Sequence, residues 1–150
     1  MQLSTVPLAI GHMVVPTGRG RTFRAGAARL ELKVGPEIGG QFGAMEGVLP
    51  PGAGPAPHRH QRYDEAFYVL QGEIEYRIGD EWITATVGTC VFAPAGSIHG
   101  FRNSGASDAR QLVIAAPAEA LEFVEALHGA TADQLSAVLE RYATEFVHDS

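Results

Sequence analysis

Apolar and polar residues alternate over short stretches through most of the chain, and the period lengthens only towards the C-terminus. Arg29-Leu-Glu-Leu-Lys-Val34 places Leu30, Leu32 and Val34 on one face of an extended segment, which predicts a half-buried strand. Gly35-Pro36 ends it. Gln41 to Leu49 reads as a second strand, stopped by Pro50-Pro51-Gly52. Ala66 to Leu70 is aromatic and β-branched, a composition that suits a pleated surface. Ile74, Tyr76 and Ile78 share one face, and Gly79-Asp80 predicts a hairpin turn into a return strand over Trp82 to Val87. Val91 to Ala93, His99 to Arg102 and Gln111 to Ala115 complete a series of short strands with frequent turns, the pattern of a barrel or sandwich.

Beyond Pro117 the spacing becomes helical. Leu121, Val124 and Leu127 fall on one face, with Pro117 at the start and Gly129 after the end. Thr131-Ala-Asp-Gln134 has capping-box spacing, and Leu135, Val138, Leu139, Tyr142 and Phe146 follow at helical intervals. The tail is read as an amphipathic helical pair packed on the barrel. One domain is expected, with an N-terminal arm and strands over 1–37, a barrel core over 38–116 and a helical extension over 117–150.

Composition narrows the function classes. A net charge of −6 and the absence of a long basic run give a nucleic-acid role no support; Arg19, Arg21 and Arg24 read as a solvated face, and the arm shows no helix-turn-helix pattern. No run of 18 apolar residues appears, so no membrane span is expected. Met1 to Val15 lacks a leading positive charge and is interrupted by Pro7 and Gly11, unlike a signal peptide. The one cysteine, Cys90, excludes an internal disulfide and fits a cytoplasmic setting; beside Val91 and Phe92 it is expected to be a small buried hydrophobe.

The candidate chemistry begins at Pro57-His58-Arg59-His60. Histidines at i and i+2 in an extended chain point to one face, which inside a barrel is the lumen. A metal is a good partner for two such imidazoles; two surface histidines beside a proline-rich loop is the alternative. Glu65 opens the aromatic strand after Gln61 to Asp64, and a hairpin can bring it beside the histidines as a two-histidine, one-carboxylate face; a solvent-facing strand-edge charge is the alternative. His99 follows a Pro94-Ala-Gly96 turn and can complete the set. His12, His128 and His148 lie outside this spacing and read as ordinary surface or core histidines.

Two patterns of fixed spacing emerge: Gly52-x5-His58-x-His60-x4-Glu65-x6-Gly72, and Gly88-x5-Pro94-x-Gly96-x2-His99-x3-Asn103. In both, the chain resembles the cupin superfamily, over roughly Ile38 to Ala116. The resemblance implies an all-β fold, a double-stranded β-helix (jelly-roll) barrel. It implies that His58, His60, Glu65 and His99 ligate one divalent transition metal, and that Gly52, Gly72, Gly88, Pro94, Gly96 and Asn103 are structural. Imidazole and carboxylate ligands accept Fe, Mn, Ni, Co, Cu or Zn. By the period of two, Phe67 and Val69 should share the face of Glu65, and Phe101 that of His99, with Phe42 and Met45 adding to the wall. These five are the candidate substrate-binding residues of a mostly apolar pocket; the alternative is that they fill the barrel interior.

The segment Asp64 to Leu70 and the helical C-terminal extension over Thr131 to Val147 are similar to those of single-domain cupins related to quercetin dioxygenases. That similarity implies a metal-dependent dioxygenase acting with O2 on a small oxygen-rich aromatic or enol substrate, with Glu65 as ligand or catalytic base. A non-oxidative metal-dependent isomerase, cyclase or decarboxylase, and a non-catalytic small-molecule-binding module, are the alternatives. Small cupins are often homodimers, which makes Thr22 to Val34 a candidate exchange arm covering a strand edge.

Overall fold

Alternation along each strand sorts the side chains into a buried and an open face, and the computed structural model, which describes residues 6–8, 12–37 and 40–148, shows how those faces meet. The strands are β1 (Val6–Leu8), β2 (His12–Val14), β3 (Arg21–Ala25), β4 (Ala28–Val34), β5 (Gly43–Leu49), β6 (His58–His60), β7 (Asp64–Gln71), β8 (Ile74–Ile78), β9 (Glu81–Ala85), β10 (Cys90–Ala93), β11 (Ile98–Arg102) and β12 (Ala109–Ala116). Two helices, α1 (Ala120–Gly129) and α2 (Leu135–Arg141), precede a last strand, β13 (Thr144–Phe146).

Two antiparallel sheets form the jelly roll. One has the order β10-β7-β12-β5-β4-β3 and the other β13-β6-β11-β8-β9, while β1 and β2 pair separately. β12 runs between β5 and β7, so that Val113 lies opposite both Met45 and Phe67, and Gln111 opposite both Gly47 and Val69. The inward faces of the two sheets close on a core that includes Leu49, Val69, Ile74, Tyr76 and Val113. Burial of such side chains is worth roughly 1.5–3 kcal/mol each.

The loops that frame the barrel mouth are tied down by named bonds. Asn103 is buried; its Nδ2 donates to the carbonyls of Leu49 (2.7 Å) and Ser107 (2.8 Å), and its Oδ1 accepts the Gly105 N–H at 2.9 Å. Only an amide of this length serves both donor and acceptor roles here. The Ser97 N–H donates to the Pro94 carbonyl, closing the turn that launches β11.

The tail departs from its helical spacing. Gln134 Oε1 accepts the Thr131 N–H, half of a capping box, while the Thr131 hydroxyl turns instead to Asp133. α2 ends by Tyr142, Ala143 takes φ 47, and Thr144 to Phe146 run as a strand beside β6. Phe146 therefore does not extend the helix. The reason is the three-residue strand β6, whose outer edge needs partners; Gln61 N–H to Ala143 O and Val147 N–H to Pro57 O bracket the pairing.

Of the hairpin, the cysteine and the outlying histidines, Cys90 alone departs from its expected burial. Thr22 to Val34 folds back on its own chain as the β3–β4 hairpin, with β3 at the sheet edge. Cys90 is exposed: alternation in β10 turns Val91 and Ala93 inward, and Cys90 and Phe92 outward. His128 and His148 are exposed, and the side chain of His12, like Ile38, lies outside the described residues.

Two glycines near the mouth differ in what they tolerate. Gly52 (φ 81) has open space where a Cβ would lie, whereas at Gly54 (φ 151) a Cβ would sit 2.0 Å from the Phe101 carbonyl oxygen. Gly52→Ala is expected to cost about 1 kcal/mol of stability, the left-handed penalty alone, and Gly54→Ala several kcal/mol. Thermal melts of the two variants check the order.

Candidate metal centre

The centre is assembled across the gap between the sheets. His58 and His60 come from β6, and His99 from the neighbouring β11, where it pairs in register with His58. Glu65 reaches in from β7 of the opposite sheet. All four side chains are buried, and one ligand atom from each lies within 4.8 Å of the others. The His58 and His99 ring centroids are 4.5 Å apart, and those of His58 and His60 4.7 Å.

The outer nitrogens decide which lone pairs face inward. His58 Nδ1 lies 2.8 Å from the Ala56 carbonyl and His99 Nδ1 3.1 Å from the Ser97 carbonyl. A carbonyl has no proton to give, so both Nδ1 atoms carry the hydrogen. His60 Nδ1 lies 2.7 Å from Thr144 Oγ1, and that hydroxyl donates to the Tyr142 carbonyl at 3.2 Å, so His60 Nδ1 also donates. Each ring is thereby set to present Nε2 to the cluster. Such outer partners fix tautomer and ring orientation in metal-ligating histidines.

The result is a convergence of acceptors. Glu65 Oε2 is 2.8 Å from His99 Nε2 and 3.5 Å from His60 Nε2. His99 has an oxygen acceptor at each ring nitrogen, a surrounding that calls for a cation or a second proton between Nε2 and the carboxylate. Burial, with His99 and His60 beside it, pushes the His58 imidazole down to about 4. Burial also lowers His60, against the opposing pull of Glu65. Burial acts to raise Glu65, but the His99 hydrogen bond and the charges of the three histidines outweigh it and hold the carboxyl below its ordinary value. A carboxylate held below its ordinary value, beside His58 and His60 imidazoles whose charging burial disfavours, is suited to binding a divalent metal. Three nitrogens and one oxygen fit one metal ion, and the donor set leaves its identity open.

The cluster opens into a cavity of about 440 Å³. Met45, Phe67 and Phe101 line it, as their strand phases place them. Val69 keeps the inward phase but is wholly buried in the core and is not part of the wall. Phe42 precedes β5, outside its alternation, and stands 51% exposed away from the cavity. Walls that the strand pattern does not reveal come from α1 (Phe123, Val124, Leu127, His128), from Phe146 of β13 and from the loop Gly52 to Ala56. Phe123 sits 5.3 Å from the His60 ring and Phe146 6.0 Å from that of His58.

Two substitutions test this assembly. His60→Ala is expected to keep a folded barrel and lose bound metal, measured by metal analysis beside circular dichroism. Thr144→Val leaves the His60 Nδ1–H without its acceptor and is expected to weaken metal affinity about 10- to 100-fold, with Thr144→Ser restoring it; competition against a chelator reads the change.

The cupin-domain family pattern matches residues 45–115, from β5 through β12. Among curated proteins none matches significantly. Solved structures do: TT1209 of Thermus thermophilus is 34% identical with a TM-score of 0.52, over 57% of this chain and 83% of that one. A predicted oxalate decarboxylase from Thermotoga maritima is 22% identical with a TM-score of 0.65, over 70% and 99%. A sugar phosphate isomerase of the cupin superfamily from Silicibacter pomeroyi is 27% identical with a TM-score of 0.55, over 61% and 60%. Sequence pattern, sheet topology and the inward cluster of three histidines and a glutamate agree, and the chain belongs to the cupin superfamily.

Proposed function

We propose that this chain is a metal-dependent dioxygenase acting on a small oxygen-bearing aromatic or enol substrate, with O2 as co-substrate. The observation that carries the reading is the character of the cavity. A ligand set of three histidines and one glutamate stands in a space walled mostly by alanine, glycine, proline, aliphatic and aromatic side chains, with Gln111 and His128 as the other polar lining, and among the described residues no lysine or arginine lines it. Such a site has little to offer a phosphorylated or dianionic substrate, which calls for cationic partners. It suits a flat apolar body that brings its own metal-binding oxygens.

His58, His60, Glu65 and His99 would hold one divalent Fe, Mn, Ni, Co, Cu or Zn. The metal, when bound, supplies Lewis acidity and, if redox-active, the path for electrons to oxygen. Glu65 is buried, ionised and beside the point where a substrate hydroxyl would arrive, so it would take the proton of an enol as its oxygen docks. Met45, Phe67 and Phe101 would hold the ring system, and the apolar walls would keep bulk water out.

The same centre can perform isomerase, cyclase or decarboxylase chemistry without a redox change, and the 27% identity to a structure titled sugar phosphate isomerase favours that second reading. A binding module without catalysis is the third. We also propose a homodimer. Phe92 (58% exposed) and Ile114 (39%) flank Ala66 in register on the outer sheet face, next to Tyr68 (43%), forming an apolar row open to a second copy. A cytoplasmic setting fits the exposed, single Cys90; no helix among the described residues is long and apolar enough to cross a membrane.

Protein purified without chelator is expected to carry about one metal per chain and to consume O2 on addition of flavonols or related enols, read by metal analysis and an oxygen electrode. Stoichiometric metal without O2 uptake across such a panel would point to the non-oxidative reading, and absence of metal after reconstitution to the binding module. Phe101→Ala is expected to weaken substrate affinity roughly tenfold with metal retained, since a buried aromatic contact of this size is worth at least about 1.4 kcal/mol. Phe92→Asp is expected to shift a dimer to monomer in sedimentation.

A further inference from the structure

Besides the ligand cluster, two polar side chains line the cavity among the described residues, Gln111 and His128. His128 is exposed on α1, whereas Gln111 is 1% exposed, the one polar residue on the inward face of β12 between Ala109, Val113 and Ala115. A buried amide costs free energy unless both its ends are bonded. Tyr76 lies 2.6 Å from Gln111 Oε1. The bond runs from the Tyr76 hydroxyl to the amide oxygen, and burial raises the phenol, which keeps that proton in place. That bond settles which end of the amide is which: the oxygen is taken, and the nitrogen, with two hydrogens to give, has no hydrogen-bond partner among the described residues.

Its position relative to the cluster follows from register. Ala115 lies opposite Glu65, Val113 opposite Phe67 and Gln111 opposite Val69. Gln111 is therefore displaced from Glu65 by four residues of strand, about 13 Å. Between them the wall is Phe67 and Val113, with the Phe101 ring 5.4 Å from that of Phe67. An apolar slot thus has acceptor lone pairs converging at one end and an amide donor at the other.

We propose that Gln111 is the second anchor of the ligand site: its amide nitrogen donates to an acceptor oxygen on a flat, largely apolar molecule whose other oxygens meet the His58–His60–Glu65–His99 cluster. Tyr76 is a positioning residue, holding the amide so that nitrogen rather than oxygen faces the ligand. The inference rests on the small-molecule reading of the cavity made above, and adds that the ligand carries oxygen at both ends.

The test uses the full chain loaded with Zn, titrated anaerobically with two flavonols followed by absorbance. Quercetin bears oxygens on its outer rings and 3-hydroxyflavone does not, while both share the same metal-binding hydroxy-ketone. Relative to wild type, Gln111→Met is expected to lower the ratio of quercetin to 3-hydroxyflavone affinity about tenfold with metal content unchanged, the loss of one hydrogen bond to a buried site. Should the stranded Tyr76 hydroxyl unfold that variant, Tyr76→Phe/Gln111→Met removes it and is expected to show the same loss. An unchanged ratio with both flavonols bound overturns the role of Gln111 alone. Failure of the loaded wild-type chain to bind either flavonol overturns the underlying substrate reading, and this proposal with it.

Discussion

β6 is three residues long and carries two of the four inward ligand atoms, so everything about the centre depends on how that short strand is held. An isolated strand of this length has no stability of its own. It is paired on one side by β11, which brings His99 level with His58, and on the other by β13, which brings Thr144 level with His60. The first pairing sets the spacing of the imidazoles and the second sets the tautomer of one of them. Backbone hydrogen bonding and site chemistry are here a single constraint, because the same strand edges that must be satisfied also carry the groups that orient the rings.

The electrostatics of the interior follow from that arrangement. Three imidazoles and one carboxylate converge in a buried space, where burial lowers His58 and His60 while the His99 hydrogen bond and the neighbouring histidines hold Glu65 below its ordinary value against its own burial. The rest of the cavity does the opposite, withholding charge. Charge at one end and apolar surface along the length make the site selective through what it excludes. Cationic side chains such as Arg59, Arg102 and Arg110 spend their charge on Glu145, Glu75 and Glu46 instead.

The chain's departures from its expected form at the C-terminus have one origin. Helical spacing of Leu135, Val138, Leu139 and Tyr142 describes α2 correctly and then runs on to Phe146, where the backbone is extended. Local periodicity has no access to an unpaired edge contributed by residues more than eighty positions earlier. The same blindness hides Thr144, whose hydroxyl has no chemical role until the tail returns to β6. Gln111 was legible in principle, as a lone polar residue in an inward phase of an otherwise apolar strand, but its partner Tyr76 sits on the opposite sheet.

Through its resemblance to the cupin motifs the sequence implied the four converging side chains, and by itself it determined the strand phases and the turn positions, because these rest on a period of two and on turn residues at short offsets. It placed Met45, Phe67 and Phe101 in the cavity wall for the same reason. Tertiary structure alone decided that Val69 lies behind the wall, that Phe42 lies away from it, that Cys90 faces outward and that the tail ends as a strand carrying Thr144 to His60. Those outcomes depend on curvature, on which sheet edge lacks a partner and on which face meets the opposite sheet, and these quantities arise only when distant segments pack together.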